Sequence, residues 1–137
     1  MEKYGDSKFN LIQIDMHIAG ISKKTVRDEV INWYQKSPLH WLLILIIMKY
    51  FYLERELSKQ LLIKEINEHL VVEGKKTITT EFRYIGECEA KGFIDILSST
   101  TDARKKLIKP SEKTINSMTE WFKHFNKLTK DFIENYN

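Results

Sequence analysis

The fold is decided by residues 77–109, which read TITTEFRYIGECEAKGFIDILSSTTDARKKLIK. Apolar residues at 4-3-3 spacing predict an amphipathic helix that starts at Thr77 and ends at Gly92. Two short apolar strands follow, at 93–97 and 107–108, and a polar, basic loop joins them. Helix, strand, turn, strand is the order in which a winged helix-turn-helix meets DNA.

The segment before this helix completes a helix-turn-helix pattern. Ser58 suits the N-cap of a helix over 58–70, and the following turn, 71–76, contains Gly74. In this motif the second helix enters the major groove, and its N-terminal residues contact base edges. The candidate DNA contacts lie just before or early in the second helix: Lys75, Lys76, Thr77, Thr79, Thr80, Arg83 and Tyr84.

The same residues also have a purely structural interpretation, which the sequence leaves open. Thr77 would be an N-cap, and Arg83 a solvated side chain paired with Glu87 one turn later. Glu81, a like charge to phosphate, stands near the exposed face. The face predicted to pack on the core consists of Ile78, Phe82, Ile85 and Cys88.

The hairpin loop carries three consecutive basic residues, Arg104, Lys105 and Lys106. Neighbouring side chains of a strand point to opposite faces, so at least one of the three projects to each side. An arginine at the tip could enter the minor groove, and the lysines could bind phosphates. The alternative is an edge that is charged only to keep it from pairing with other strands.

The net charge of +3 is concentrated around these elements. Residues 1–74 hold ten basic and ten acidic residues, and 114–137 hold three of each. Residues 75–113 hold nine basic residues against six acidic ones, so the whole excess lies there. A small excess confined to one segment fits a local nucleic-acid contact.

The run ECEAKGFIDILSSTTDARKKLIKPSEKT, residues 87–114, resembles the MarR family of bacterial winged-helix regulators. The matching features are Lys91-Gly92, the apolar strand, Asp102-Ala103-Arg104 and the lysine-rich return over 105–109. The resemblance implies that Asp102 braces the wing and that Arg104 is its tip contact. It also implies a homodimer on a pseudo-palindromic operator, with a small-molecule effector in many members.

The termini carry apolar stripes that suit dimerisation helices. The chain reads as a single MarR-like domain of 137 residues, with 1–37 and 111–137 as dimerisation helices around the winged region 38–110. Packing of both terminal helices on the chain's own core is the alternative. The predicted interface residues in the last helix, which Ser111 caps, are Ile115, Met118, Phe122, Phe125, Phe132 and Tyr136.

Three further helices are predicted upstream, over 7–19, 24–36 and from Pro38 into the apolar run 41–53. The last of these holds thirteen residues with Lys49 inside, whereas a membrane span takes about 20. We therefore expect a helix buried on nearly every side, and no membrane partner.

Catalytic and metal chemistry find no support in the sequence. His17, His40, His69 and His124 are scattered without a ligand spacing, and phosphate loops and nucleophile elbows are absent. The single cysteine, Cys88, is either a buried apolar residue or a redox-sensing thiol. We expect a protein that is not an enzyme and needs no cofactor.

Together these features predict a mainly α fold with a small β-hairpin wing: a winged helix-turn-helix with N- and C-terminal dimerisation helices. The expected function is transcriptional regulation in the cytoplasm, with double-stranded DNA and a second copy of the chain as partners. The alternative is a protein-interaction or scaffold module that kept the fold and lost specific DNA binding. Three glutamates in the second helix, at 81, 87 and 89, motivate that alternative.

Overall fold

The computed structural model describes residues 5–21, 28–69 and 78–135, with only the backbone described for Ile21 and for 78–82. Helices and two short strands alternate along this described chain. In order they are α1 (Ser7–Ile21), α2 (Glu29–Tyr34), α3 (Pro38–Tyr52), α4 (Lys59–His69), α5 (Ile78–Ala90), β1 (Ile94–Ser98), β2 (Lys106–Pro110) and α6 (Glu112–Asn135).

The chain divides into two compact units. A terminal unit runs up to Asp28 and resumes at Ser117, and a central unit spans Glu29 to Asn116. Residues 29–37, expected among the terminal helices, belong to the central unit because α2 packs against α3. The helix expected over 24–36 is described only as the shorter α2, and Asp28 before it is not helical.

Two serines cap the starts of central helices, where the sequence predicts a cap at Ser58 and a helix start at Pro38. The Ser37 Oγ accepts a hydrogen bond from the His40 backbone N at 3.2 Å, and Pro38 occupies the first turn of α3. The Ser58 Oγ accepts from the Leu61 backbone N at 3.1 Å at the start of α4. Each hydroxyl satisfies an N–H group that the helix leaves without an internal acceptor. The beginnings of α3 and α4 are thus fixed by local sequence.

Gly92 ends α5, as predicted, and turns the chain into β1. Its φ is 74°, in the left-handed region that favours glycine. The Gly92 N donates to the Glu89 carbonyl at 3.0 Å, and the Phe93 N donates to the Cys88 carbonyl at 2.9 Å. These two bonds form a Schellman motif, which satisfies carbonyls at the helix end. The passage from helix to hairpin is therefore fixed by one residue.

The two strands form the predicted antiparallel hairpin, which we call the wing (residues 94–110). Their register runs from Ile94 opposite Pro110 to Ser98 opposite Lys106. The second strand ends at Pro110, which has no N–H group to continue the ladder. Residues 99–105 form the wing tip.

The wing is also hydrogen-bonded to the chain that leads into α4. The Ile108 N donates to the Leu57 carbonyl at 2.7 Å, and Ser58 pairs with Leu107 as an isolated bridge. These contacts fix the wing beside the start of the helix-turn-helix.

The apolar run of α3 lies in the core of the central unit, as expected. Its buried residues are His40, Leu43, Ile44, Ile46, Ile47 and Met48. Its last turn reaches the surface, where Phe51 and Tyr52 are exposed. Within the described residues, no helix combines the length and apolar character needed to cross a membrane. Beside α3, the Trp33 ring contacts two other rings edge-on. Its centre lies 4.9 Å from that of Tyr34 and 5.9 Å from that of Phe93.

The terminal unit contains α1 and the part of α6 from Ser117 onward. The Ser117 Oγ donates to the Asp28 Oδ2 at 2.5 Å, and the rings of Trp121 and Phe125 stack with centres 5.0 Å apart. Four large apolar side chains of α1 stay 46–59% exposed: Phe9, Leu11, Ile14 and Ile18.

The predicted fold class is confirmed: the described chain is mainly α-helical with one β-hairpin wing. The helix pair α4 and α5 precedes the wing directly, in the order of a winged helix-turn-helix. The turn between these helices, 70–77, lies outside the described residues.

Candidate nucleic-acid interface

The second helix of the motif is α5, and the structure describes part of its predicted contact face. Three candidate contacts fall outside the described residues: Lys75, Lys76 and Thr77. Two more lie in the first turn of α5 with only their backbone described: Thr79 and Thr80. The candidates with described side chains are Arg83 and Tyr84. The predicted core face is confirmed where it is described, since Ile85 and Cys88 are fully buried.

Arg83 points into solvent, with its side chain 65% exposed. Its Nε lies 3.9 Å from the Glu87 Oε1 one turn later, and its guanidinium carbon lies 5.1 Å from the centre of the Tyr84 ring. An exposed ion pair of this kind contributes at most about 1 kcal/mol. The guanidinium is therefore accessible, and a phosphate or a base could take the place of Glu87.

Tyr84 is half-buried against α3. Its ring lies 4.2 Å from the His40 ring, centre to centre, at an interplanar angle of 34°. The His40 Nδ1 in turn lies 2.6 Å from the Ser37 Oγ at the start of α3. Burial lowers the pKa of His40, and the nearby Glu87 partly opposes that shift. Tyr84 thus takes part in packing between α3 and α5, which the candidate set did not anticipate.

The wing tip is organised around Ser99, whose side chain is buried. Its backbone N donates to the Lys105 carbonyl at 2.9 Å. Its Oγ accepts from the backbone N of Thr101 at 3.2 Å and of Asp102 at 3.4 Å. Ser99 was not among the sequence candidates, although a serine that opens a polar turn often binds N–H groups just beyond it.

Asp102 makes its described contacts within the wing tip. Its Oδ1 accepts from the Arg104 backbone N at 3.0 Å and lies 3.6 Å from the Arg104 Nε. Its carbonyl accepts from the Lys105 N at 3.0 Å. The Arg104 side chain is 95% exposed despite this pairing. The tip therefore presents an arginine on a hydrogen-bonded turn.

The two lysines that follow are exposed as well. The Lys106 Nζ donates to the Ser98 Oγ across the hairpin at 3.1 Å. Residues 98–109 contain four basic residues and one acid, Asp102. The structure thus brings Arg104, Lys105 and Lys106 together on one exposed hairpin of positive charge.

A groove of about 360 Å³ lies between the wing and the start of α4. Both walls belong to the central unit. Its lining residues are Ser58, Lys59, Gln60, Asp102, Lys105 and Lys106. Lys59 and Gln60 were not among the sequence candidates, because only the fold brings them beside the wing.

Cys88 is fully buried, which favours the structural interpretation of this residue. Burial raises the pKa of its thiol to about 12, and the neighbouring Tyr34 hydroxyl partly opposes the shift. The thiolate is the reactive form, so a buried thiol with a raised pKa is a poor sensor of oxidants. Among the described residues, no three His, Cys, Asp or Glu side chains are grouped to hold a metal ion.

The predicted dimer residues of α6 differ in exposure. Met118 is fully buried within the single chain, so its side chain is not available to a partner. Tyr136 lies outside the described residues. The other four are half-buried: Ile115, Phe122, Phe125 and Phe132. The most exposed apolar side chains of the terminal unit are instead those of α1.

Comparison by sequence gives no relative: no protein-family model matches the chain, and no curated protein matches it. Comparison by structure gives several. The transcriptional regulator Tm0710 from Thermotoga maritima matches 93% of this chain over 73% of its own, with a TM-score of 0.53 at 15% identity. The PcaV transcriptional regulator from Streptomyces coelicolor matches 93% over 79%, with a TM-score of 0.50 at 12% identity.

A MarR-like transcription regulator from Bacillus cereus matches 98% of this chain over 79% of its own, with a TM-score of 0.49 at 18% identity. At such identities, the two structures with the higher TM-scores establish the fold. The chain shares the fold of these two proteins, and its helix pair and wing are those of the predicted winged helix-turn-helix.

Proposed function

We propose that this protein is a DNA-binding transcriptional regulator that acts as a homodimer on a pseudo-palindromic operator. The observation that carries the proposal is the wing, which presents Arg104, Lys105 and Lys106 to solvent within a winged-helix fold. Phosphate contacts by lysine and arginine supply most of the sequence-independent affinity for DNA. The proposal includes action inside the cell, and it includes an effector ligand only because the family resemblance implies one.

In the proposed complex, α5 lies in the major groove and the wing follows the adjacent backbone. Arg83 is exposed where a recognition helix contacts base edges, and an arginine can bind guanine through two hydrogen bonds. Arg104 would reach into the minor groove from the wing tip, with Asp102 as its brace. Arg83 would then contribute to sequence selection, and Arg104 would anchor the wing on the DNA.

The apolar surface of α1 supports a second copy of the chain as partner. Phe9, Leu11, Ile14 and Ile18 are all about half exposed, although large apolar side chains are normally buried in monomers. Burying such a surface contributes about 25 cal/mol per Å². A twofold axis between copies would set the recognition helices about 34 Å apart, on successive major grooves.

DNA binding is tested by titrating the protein into a mixed-sequence duplex at several salt concentrations. We expect the logarithm of the affinity to fall linearly with the logarithm of salt concentration, as counterions are released from phosphates. An affinity no better than about 10⁻⁴ M at low salt would refute the regulator proposal.

Dimerisation is tested by mass in solution, for example by light scattering after size-exclusion chromatography. The intact chain should run at twice its mass, and the double variant Ile14→Glu, Ile18→Glu at its single mass, because charges would be buried at the interface. Gln13→Glu is the matched control, since Gln13 is an exposed polar residue of the same helix. A monomeric wild-type chain at tens of micromolar would remove the symmetric-operator part of the proposal.

A protein-interaction module is the second candidate, and one observation favours it. In the described part of α5, Arg83 is paired with Glu87, and the exposed Glu89 adds a second negative charge. A helix of this charge is a weak match for phosphate. The duplex titration separates the two candidates, because an interaction module would not show the salt-dependent affinity.

A further inference from the structure

The groove between the wing and the start of α4 has the features of an anion site. We propose that it binds a phosphate group, and that Lys59 and Gln60 thereby join the wing lysines in one phosphate clamp. The proposal rests on the proposed DNA-binding function where the phosphate belongs to a DNA backbone. The groove itself is a property of the central unit alone.

The two walls of the groove are held together before any ligand arrives. The Ile108 N donates to the Leu57 carbonyl at 2.7 Å, and Ser58 pairs with Leu107. These bonds join β2 to the residues that lead directly into Lys59. A site that is already assembled loses less conformational entropy on binding, so more of its interaction energy is expressed as affinity.

The charges of the groove favour an anion. Three lysines line it, at positions 59, 105 and 106, against one carboxylate, that of Asp102. That carboxylate already accepts from the Arg104 backbone N at 3.0 Å and lies 3.6 Å from the Arg104 guanidinium. It therefore already has a cationic partner within the wing tip. The ligand would meet a net positive field.

The remaining lining groups fit the oxygens of phosphate. Lysine offers three N–H donors without an acceptor, and the Gln60 amide and the Ser58 hydroxyl can also donate. The groove, of about 360 Å³, is open to solvent on one side. A phosphodiester with part of its sugar would fit, and displaced water would be replaced by charge-assisted hydrogen bonds.

The first arm of the test measures the salt dependence of duplex binding for Lys59→Ala. If the groove holds a backbone phosphate, the slope of log affinity against log salt should become shallower by about one. Lys64→Ala is the matched control, because Lys64 is exposed on the same helix but does not line the groove. The control should keep the wild-type slope.

The second arm uses inorganic phosphate without DNA and follows backbone amide signals by NMR. A phosphate site should give saturable shifts at Lys59 and Gln60 that are lost in Lys59→Ala and kept in Lys64→Ala. A shallower slope in the first arm supports the groove with DNA as the source of the phosphate. Saturable shifts with an unchanged slope support it with a free phosphate compound as the ligand.

The proposal is overturned if Lys59→Ala leaves the slope unchanged and phosphate causes no saturable shift. Failure of the proposed DNA-binding function would give a different result from failure of the groove proposal. In that case the wild-type chain would not bind duplex DNA at all, and the phosphate titration alone would decide whether the groove is a site.

Discussion

The wing and α5 are consecutive in the chain, yet they present opposite charge. Residues 98–109 of the wing hold four basic residues against Asp102, whereas 78–91 hold two basic residues against three acids. Each has an arginine beside a carboxylate, at 3.6 Å in the wing and 3.9 Å in α5. The wing arginine has lysines as its neighbours, but the helix arginine has glutamates.

The difference suggests that the two elements contribute different parts of binding. Positive charge that is concentrated on a short hairpin gives affinity for any phosphate backbone. A helix whose acids compete for its own arginine gives little affinity by itself, but it can discriminate between bases. We therefore expect that changes in the wing alter the affinity for DNA of any sequence. Changes in α5 should instead alter how the affinity depends on the DNA sequence.

The largest effect is expected for the double variant Lys105→Ala, Lys106→Ala. Each lost phosphate contact should flatten the salt slope by about one and weaken binding roughly tenfold near 0.1 M salt. The double variant should thus bind a duplex about a hundredfold more weakly. Lys91→Ala, at the end of α5, is the control for general loss of charge and should have a much smaller effect. If both variants lost the same affinity, the wing lysines would contribute no more to DNA binding than any other positive charge.

A stability effect of about 1–2 kcal/mol is expected where α5 passes into the wing. Gly92→Ala puts a Cβ on a residue with φ 74°, so unfolding by urea should become easier by that amount. Gly86→Ala is the matched control, because Gly86 lies within α5 with no atom within 4 Å of an added Cβ. It should stabilise the protein by up to about 1 kcal/mol, since alanine favours helix. If both substitutions changed the free energy of unfolding in the same direction, Gly92 would not have the positive φ of the Schellman motif.

The features that the sequence predicted well depend on short stretches of chain. Ser37, Ser58 and Gly92 act through hydrogen bonds to residues within five positions, so local rules suffice to predict their helix ends. The hairpin could also be predicted from local sequence, because two short apolar runs joined by a polar loop specify it. Its exposed basic residues followed from the same pattern.

What the sequence could not predict depends on residues that are distant along the chain. The contact between the rings of Tyr84 and His40 requires α3 and α5 to meet, and no pattern within either helix predicts that contact. The groove beside Lys59 exists because Ile108 hydrogen-bonds to Leu57, fifty-one positions earlier. Met118 was assigned to the interface by its spacing, which cannot distinguish a residue buried within one chain from one buried between two.

A smaller effect, of a few fold in affinity, is expected for Glu87→Gln in α5. The change removes a charge that repels phosphate and frees Arg83 from its 3.9 Å contact, so duplex binding should tighten. The protein's stability should fall by less than about 0.5 kcal/mol, as is usual for a pair one turn apart on a helix. Glu89→Gln is the matched control, since it removes the same charge from the same helix without a described contact to Arg83. If neither variant tightens binding, α5 does not lie against DNA.

The smallest effect is a pH dependence that distinguishes α5, which packs on a histidine, from the wing, which contains none. Burial holds the pKa of His40 below its usual value of about 6.5. Below that pH the unfolded chain takes up a proton that the folded chain resists. The stability present above pH 6.5 is therefore lost as the pH falls toward the folded pKa.

Urea unfolding should show this loss between pH 7.5 and 5.5, and His40→Asn should reduce it. His69→Asn, at an exposed histidine in α4, is the matched control. The same pH dependence in His40→Asn as in the wild type would mean that His40 does not couple protonation to the packing of Tyr84.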